Sequence, residues 1–375
     1  MDLEFSEDQE MLRKVARDFL EDKCPKTTVR EIELDEKGYS PDLWQEMAGL
    51  GWQGMVLPEK YGGTEMTFLD LCVLFEEIGR ACLPSPLFPT VIYGAMPILE
   101  AGSEEQKDKY LPDIAEGNSI FTMALIEPQL GNGPHAVKTE AKQSGDGYTL
   151  NGTKLFVPYA HVADYFLCVA RTSGKEEGIS IFIVDANSSG VKTTVLQTMA
   201  NDKLCEVVLD NVQVPKENVL GSVDQGWPQV QKIMERNDTA KCCELVGNFQ
   251  WVLEDTIAYA NDRKQFGRPI GSFQVIQHYC ADLATYVEGT RLSAYQAAWR
   301  INEDIPCTKE VAVAKAWTSK ASPSIFDIAH QVHGAMGVTL DHDLHFYTRR
   351  SKPVDLTYDA GDCYREVVAN EMGLK

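Results

Sequence analysis

The sequence predicts a mainly α-helical protein with a small β domain in its middle. Apolar residues recur at helical spacing up to about residue 117. Short β-branched and aromatic runs with glycine turns follow to about residue 221, and long amphipathic segments complete the chain. We therefore expect an N-terminal helical domain (1–117), a middle β domain (118–221) and a C-terminal helical bundle (222–375), and 375 residues suffice for two or three domains.

Capping signals place the helices of the first domain. Ser6-Glu7-Asp8-Gln9 has the form of a capping box, and Ser40-Pro41 combines a serine cap with a proline at the first helical position. Thr67 precedes a third helical segment, and prolines then interrupt the chain before a helical stretch from about Val91 to Ala101. These signals predict four helical segments before the β domain.

The middle of the chain has the composition of short strands. Residues 164–170 and 179–184 are β-branched and aromatic, and Asp146-Gly147, Asn151-Gly152 and Ser189-Gly190 supply turns. This pattern predicts a small antiparallel sheet or barrel.

The last part of the chain carries two long apolar stripes at helical spacing. Long helices that are apolar on one face and joined by short turns pack as a bundle. The stripes consist of Val246, Gln250, Leu253, Ile257 and Ala260, and of Val275, Ile276, Tyr279, Cys280, Leu283, Tyr286 and Val287.

Composition excludes several classes of function. The net charge of −21 argues against a nucleic-acid partner and predicts that an anionic cofactor would need a locally basic pocket. No apolar run approaches the ~18 residues that span a bilayer, and the acidic N-terminus lacks the layout of a secretion signal. The ten cysteines form no C-x-x-C pair, which favours buried thiols over a zinc or redox site. We therefore expect a cytoplasmic protein.

The segment from Tyr259 to Gln274 carries the most specific chemical signal. It runs off the end of one helical segment, places Arg263 in a sharp turn before Gly267, and leads into another long helix near Gln274. A guanidinium at such a corner suits a phosphate-bearing ligand, because its planar fork matches paired phosphate oxygens.

Further motifs make the chain resemble the acyl-CoA dehydrogenases over essentially its whole length. Gly51-Trp52, Pro58-Glu59-Lys60-Tyr61-Gly62-Gly63 and Glu76-Glu77-Ile78-Gly79 look like that family's G-W, P-E-x-Y-G-G and E-E-x-G elements. The resemblance implies a helical domain, a middle β-barrel and a C-terminal four-helix bundle. It also implies FAD as cofactor, an acyl-CoA thioester as substrate, a homo- or heterotetramer, and an electron-transfer flavoprotein or similar acceptor.

The resemblance places flavin contacts in the β domain. Ile126-Glu127-Pro128 stands where the family has T-E-P, and Gly152-Thr153-Lys154-Leu155-Phe156-Val157-Pro158 matches its G-x-K-x-W-I-T strand. By this match Phe156 flanks the isoalloxazine, whereas Ile126 and Pro158 replace threonine hydroxyls. Proline offers no donor, so the backbone amides of Met123, Leu125 or Ile126 would serve the ring edge.

The resemblance places dinucleotide contacts in the bundle. Arg263 and Gln265-Phe266-Gly267 align with R-x-x-F-G, so Arg263 and Gln274 would meet the pyrophosphate and adenine side of FAD across a subunit interface. The segment from Gln331 to Gly337 resembles Q-x-x-G-G-x-G. There Gln331 and the backbone of Gly334 and Ala335 would meet the same cofactor, because a glycine turn lets amides approach a diphosphate.

The catalytic base departs from the family pattern. The family's usual base is the glutamate of a Y-E-G-T stretch, and the best match here places Asp359 at that glutamate. A second family position on a bundle helix falls on Asn237, with Asp238 beside it as the alternative base. Either carboxylate would work best desolvated, with a raised pKa. No metal is expected: His330 and His333 lack an accompanying acidic cluster, and His342 is interpreted as a surface or packing residue.

The C-terminal stretch Asp341–Lys352 resembles a branch whose subunits act on ring or steroid-side-chain CoA esters. We therefore expect an FAD-dependent acyl-CoA dehydrogenase whose substrate is not a simple fatty acyl chain. Two alternatives stay open. One is a non-standard elimination or decarboxylation of a CoA ester, and the other is a non-catalytic partner subunit of a heteromeric enzyme.

Overall fold

A computed structural model describes residues 5–129, 131, 133–175, 178–356 and 361–374, with backbone alone over 353–356 and at 361. Helices occupy the two ends of this part of the chain and strands its middle, which confirms the predicted order. The helices are α1 (Glu7–Lys23), α2 (Lys26–Leu34), α3 (Pro41–Gly49), α4 (Phe68–Ala81), α5 (Leu87–Pro89), α6 (Met96–Ala101), α7 (Glu104–Ala115), α8 (Trp227–Asp262), α9 (Gln274–Asn302), α10 (Thr308–His333), α11 (Leu344–Leu356) and α12 (Gly361–Glu371). The strands are β1 (Phe121–Ala124), β2 (Glu140–Ser144), β3 (Gly147–Pro158), β4 (Tyr165–Arg171), β5 (Ile179–Asp185), β6 (Val191–Val195), β7 (Leu204–Pro215), β8 (Val219–Leu220), β9 (Lys264–Gln265) and β10 (Arg268–Pro269).

The predicted helix caps are confirmed. Ser6 accepts a hydrogen bond from the Gln9 amide at 3.2 Å, and the Gln9 side chain accepts one from the Ser6 amide at 3.1 Å. The Ser40 hydroxyl caps α3 by accepting from the Leu43 amide at 3.3 Å, with Pro41 at the first helical position. These caps depend only on neighbouring residues, so the sequence alone predicts them.

The helical stretch expected over 91–101 has a different geometry from that prediction. It begins as a π-helix (Thr90–Ala95), in which the Met96 amide donates to the carbonyl of Val91, and continues as α6. Pro97 explains the change, because it has no N–H to give the carbonyl four residues earlier.

The eight-stranded sheet has the order β6-β7-β3-β2-β4-β5-β8, with β1 paired to β4. The prediction of an antiparallel sheet is wrong for two pairings: β1 runs parallel to β4, and β2 meets β4 in parallel at one residue pair. The β2–β3 hairpin lies between β1 and β4 in the chain, so no tight turn joins them. The buried core of the sheet includes Leu150, Phe166, Phe182, Val207 and Val212.

The chain divides into two compact units. One comprises residues 1–29, 68–83 and 235–375, and the other comprises 30–67 and 84–234. The predicted boundaries after residues 117 and 221 stay predictions.

The E-E-x-G motif has a packing role inside the first unit. Glu76 is 3% exposed and accepts hydrogen bonds from Arg291 at 2.5 Å and from Tyr295 at 2.6 Å. A Cβ at Gly79 would lie 1.8 Å from the Glu244 carbonyl oxygen, and one at Gly247 would lie 1.7 Å from that of Glu76. The two glycines therefore allow α4 and α8 to touch backbone to backbone.

The predicted apolar stripes of the bundle are only partly covered within the chain. Val246, Leu283 and Val287 are fully buried, but Ile257 is 41% exposed and Val275 is 55% exposed. The two predicted helical segments are present as α8 and α9, and parts of their apolar stripes stay exposed in the single chain.

Two composition-based expectations can be compared with the fold. Eight of the ten cysteines are buried and none is in a disulfide, as predicted. Among the described residues, no helix combines the length and the apolar character that crossing a membrane requires.

Candidate functional site

Strand β3 presents the aromatic residue that the sequence singles out. The pairing of β3 with β7 shifts register between Lys154 and Val157, so Phe156 lies at a β-bulge with a φ of 55°. This φ is strained for an aromatic residue, and Phe156 is 36% exposed. The contact of Phe156 with a flavin stays a prediction, and its partial exposure is compatible with it.

A buried ion pair supports the loop after β1. The Lys154 ammonium, which is fully buried, donates to Glu127 at 2.7 Å and to the carbonyl oxygens of Leu125 at 3.2 Å and Val169 at 2.6 Å. Glu127 also accepts from the backbone amide of Thr139 at 2.9 Å. Burial alone would raise the Glu127 pKa, but the ammonium and the hydrogen bonds outweigh it and lower that pKa.

The same loop carries the predicted backbone donors. Strand β1 pairs with β4 only, so within the described chain its other edge has no strand partner, and Met123 lies on this strand. The Leu155 amide donates to the Ile126 carbonyl at 2.9 Å and fixes the loop to β3. Pro158 pairs with Leu204 at the end of β3. Neither Ile126 nor Pro158 supplies a side-chain donor, as predicted from the sequence.

In the other unit, the segment after α8 forms a two-residue hairpin. Gln265 pairs with Arg268, and the turn residues Phe266 and Gly267 have φ of 52° and 79°. Positive φ at both central positions is the pattern of a type I′ turn. The Arg263 carbonyl accepts from the Ile270 amide at 2.8 Å and closes the corner between α8 and α9.

Four of the predicted dinucleotide-binding side chains are exposed and uncommitted. Their polar groups form no hydrogen bond or ion pair with the part of the chain that the structure describes. An exposed guanidinium and exposed carboxamides without such partners are available to an anionic ligand. These residues are Arg263, Gln265, Gln274 and Gln331.

The glycine turn after α10 exposes backbone. Gly334 has a φ of 60°, and Ala335 beside it is exposed. A Cβ at Gly337 would lie 2.8 Å from that of His333, so this glycine is required for packing. Tyr259 near the end of α8 stacks on His333 at 4.5 Å between ring centroids. The structure therefore brings the end of α8 to the end of α10, which carries Gln331.

Asp238 lies deep in the bundle. Its Oδ2 accepts from the Tyr364 hydroxyl at 2.6 Å, and its Oδ1 accepts from Asn237 at 3.2 Å and lies 3.7 Å from the Lys315 ammonium. Burial raises the Asp238 pKa, although these three partners oppose the shift. Both oxygens are engaged by neighbours, as expected for a carboxylate that joins α8, α10 and α12.

Asp359, the predicted base, lies outside the described residues. Along the chain, the next described acidic side chain is Asp362 in the first turn of α12, which pairs with Arg365 at the surface.

One cluster of ligand-type side chains was missed by the sequence analysis. The Nε2 atom of His333 lies 3.2 Å from Asp255 Oδ2, and that of His342 lies 3.8 Å from the same oxygen. We refer to Asp255, His333 and His342 as the histidine–aspartate cluster. The interpretation of His342 as a mere surface or packing residue is incomplete. Asp255 belongs to α8, so no local spacing pattern could have indicated the cluster.

A cavity of about 200 Å³ also lacks any sequence signal. Its cationic residues are already paired: Arg17 with Glu77 at 2.7 Å, and Arg80 with Glu254 at 2.7 Å. Lys26 donates to the Ala81 carbonyl at 2.6 Å. Because these cationic groups are already paired, the cavity has little capacity to bind an anionic ligand.

Family comparisons agree with the fold. The chain matches the acyl-CoA dehydrogenase N-terminal domain over residues 6–118, the middle domain over 122–212 and the C-terminal domain over 224–361. Its helical, β and helical segments follow the same order. The chain belongs to the acyl-CoA dehydrogenase family.

Individual relatives give the same result. A caffeyl-CoA reductase-Etf complex subunit of Acetobacterium woodii is 33% identical, with 99% of each chain covered. Cyclohex-1-ene-1-carbonyl-CoA dehydrogenase of Geobacter metallireducens is 32% identical over 86% of this chain and 87% of that protein. The structure of butyryl-CoA dehydrogenase from Megasphaera elsdenii superposes with a TM-score of 0.93 at 29% identity, covering 99% of this chain and 100% of the other.

These findings confirm the predicted family, fold class and class of enzyme. The protein is an oxidoreductase of the acyl-CoA dehydrogenase type, which acts on acyl-CoA thioesters.

Proposed function

We propose that the chain binds FAD, with the flavin against β1 and β3 and the pyrophosphate and adenine on the corner between α8 and α9 of a neighbouring subunit. The observation that carries the proposal is the set of four exposed, uncommitted side chains at Arg263, Gln265, Gln274 and Gln331. In a chain with a net charge of −21, an exposed arginine without an ionic partner among the described residues is a candidate contact for an anion.

The residues of the β unit fit a flavin ring. Phe156 supplies an accessible aromatic face, and the unpaired edge of β1 offers backbone amides around Met123, Leu125 and Ile126. Lys154 and Glu127 hold that loop in place. Because Ile126 and Pro158 carry no donor, these amides are the hydrogen-bonding groups left for the ring edge.

Proton abstraction is assigned to Asp359. When bound, the flavin supplies the acceptor for the β-hydride. The Asp359 carboxylate takes the proton from the α-carbon of the thioester, and the electron pair of that C–H bond enters the new double bond as the hydride leaves. Asp238 is the alternative base, but its engagement with Tyr364, Asn237 and Lys315 disfavours it.

The proposed substrate is a CoA ester with a ring or aryl group, supported by relatives that are named for caffeyl-CoA and cyclohexene-carbonyl-CoA. The proposed electron partner is an electron-transfer flavoprotein, supported by the relative that is a subunit of an Etf complex. The uncovered faces at Ile257 and Val275 support assembly into a tetramer. Eight buried free thiols support a reducing, cytoplasmic location.

The test is an anaerobic flavin-bleaching screen across aliphatic, dicarboxylic, alicyclic and arylpropionyl CoA esters. We expect a yellow protein whose absorption is lost with a ring or aryl ester. Asp359→Asn should lower the bleaching rate at least about a hundredfold, because the general base is removed while flavin binding is kept. Asp362→Asn is the matched control, since this exposed carboxylate lies three positions further along. Colourless protein that takes up no FAD would end the proposal, and normal bleaching by Asp359→Asn would move the base to Asp238.

A second candidate is a partner subunit that completes the flavin site of another chain. The absence of side-chain donors at Ile126 and Pro158 favours it. It predicts that the protein purified alone carries no flavin, or carries flavin that no acyl-CoA reduces, and that activity appears when a second chain is added.

A further inference from the structure

The geometry points to a divalent-cation site at the histidine–aspartate cluster, formed by Asp255, His333 and His342. The ligand set of two imidazoles and one carboxylate suits Zn²⁺ or a similar transition ion better than Mg²⁺ or Ca²⁺, which prefer oxygen ligands. The three ligand atoms all lie within 4.8 Å of one another.

The orientation of His333 favours a cation. Its Nδ1 lies 2.8 Å from the Ala329 carbonyl oxygen, so this nitrogen carries the proton and donates it. In the neutral ring Nε2 then has a free lone pair, and it lies 3.2 Å from Asp255 Oδ2. The ring is 2% exposed, and neither of these two atoms has a hydrogen bond among the described residues. Two buried electron-rich atoms that face each other repel, and a positive charge between them would remove this repulsion.

Two of the three separations between ligand atoms are close to those around a tetrahedral ion, and the third is within 4.8 Å. With metal–ligand bonds of about 2.0–2.1 Å, neighbouring ligand atoms lie about 3.3 Å apart. The separation of 3.2 Å between His333 and Asp255 matches this value, and the 3.8 Å between His342 and Asp255 requires a closure of roughly half an ångström. Three protein ligands leave a fourth position for water.

His342 sets an upper limit on the affinity. Its Nδ1 accepts from the Leu344 amide at 3.2 Å, which keeps the proton of the neutral ring on Nε2. Ligation through Nε2 requires that this proton move to Nδ1 and that the contact with Leu344 be given up. We therefore expect micromolar rather than nanomolar binding. Asp255 and His342 are partly exposed, so an ion can enter from solvent.

The site would join three segments. Asp255 lies on α8, His333 is the last residue of α10, and His342 precedes α11. A bound ion would fix the segment from Gly334 to Val338, which begins directly after His333. The inference does not depend on the proposed flavin chemistry, because its ligands are other residues.

The experiment measures metal binding by the full-length chain after dialysis against a chelator. Titration with Zn²⁺ by calorimetry, and with Co²⁺ by visible absorption, should give one ion per chain and the spectrum of a tetrahedral nitrogen–oxygen site. Asp255→Asn and His342→Gln should each weaken binding at least about tenfold, with circular dichroism confirming the fold. His278→Gln is the control, because His278 is an exposed histidine of the same unit.

Three results would overturn the inference. The first is no binding at micromolar metal. The second is binding that is unchanged in both cluster variants. The third is a thiolate-to-cobalt charge-transfer band, which would assign the ion to a cysteine such as the half-buried Cys280 or Cys363.

Discussion

Lys154 shows how one residue links the sheet to the loop proposed for the flavin. Its ammonium has no exposed surface and donates to one carboxylate and two carbonyl groups. Replacing one partner of such a pair leaves the other charge buried and uncompensated.

We predict that Lys154→Met destabilises the protein by about 3–5 kcal/mol, because Glu127 is left as a buried, unpaired carboxylate. The double variant Lys154→Met with Glu127→Gln should recover most of this loss. Urea denaturation of both variants measures the difference. Equal stability of the single and the double variant would contradict the role of the pair.

The pH dependence of the same variant has a definite sign. In the native protein the Glu127 pKa is lowered, so its stabilising contribution is present above its ordinary pKa of 4.5 and is lost as the pH falls through the folded pKa. Without Lys154, burial should raise that pKa instead, and stability is then lost as the pH rises from the ordinary value of 4.5 to the raised value. The deficit of Lys154→Met should therefore be large at pH 7 and small near pH 4.

At this scale the reach of the sequence is set by the range of its contacts. Arg263, Gln274 and Gln331 could be proposed because they stand in specific local motifs; they stay predictions, and the structure shows their side chains exposed. Asp255 and His342 were not found, because their contacts join residues on separate segments. A contact of that kind has no local pattern in a single sequence.

At the scale of elements, the crossing of α4 and α8 depends on two glycines. We predict that Gly247→Ala costs at least about 2–3 kcal/mol, because its Cβ would lie 1.7 Å from the Glu76 carbonyl oxygen and the helices would have to separate. The same movement would disturb the pair between Glu76 and Arg291. The shift of the urea midpoint measures the cost.

Gly49→Ala is the control for this prediction. Gly49 is the last residue of α3, and no atom lies within 4 Å of a Cβ built there. Alanine should be neutral or stabilise the protein by up to about 0.5–1 kcal/mol, since it lowers the entropy of the unfolded chain. Similar losses from both substitutions would mean that helix packing at Gly247 is not the cause.

Local signals decided which elements could be predicted. The capping box at Ser6 and the cap at Ser40 depend on residues three positions away, and both are present. The parallel pairing of β1 with β4 depends on residues far apart in the chain, and the sequence did not indicate it. The π-helix before Pro97 has a local cause in that proline, which lacks the N–H of a regular helix, but the sequence pattern predicted only a helix there.

At the scale of the whole molecule, the strained backbone and exposed ring of Phe266 bear on how subunits assemble. It has a φ of 52°, is 92% exposed and forms the tip of the hairpin between α8 and α9. Asparagine suits this position of a type I′ turn better than phenylalanine does. A strained, exposed aromatic ring is explained if another subunit buries it. Val275 in the next helix is 55% exposed, and its apolar side chain would also be stabilised by burial against another subunit.

We predict that Phe266→Asn keeps or slightly raises the stability of the single chain but shifts the protein from the proposed tetramer to smaller species and weakens the proposed retention of FAD. The turn becomes less strained, while the ring that would enter the interface is lost. Sedimentation velocity measures the assembly, and flavin absorbance after gel filtration measures retention. Leu34→Asn is the control, because Leu34 is 86% exposed at the end of α2 and lies far along the chain from the proposed dinucleotide residues. An unchanged tetramer in Phe266→Asn, or an equal loss in Leu34→Asn, would mean that the hairpin tip has no specific part in holding the subunits together.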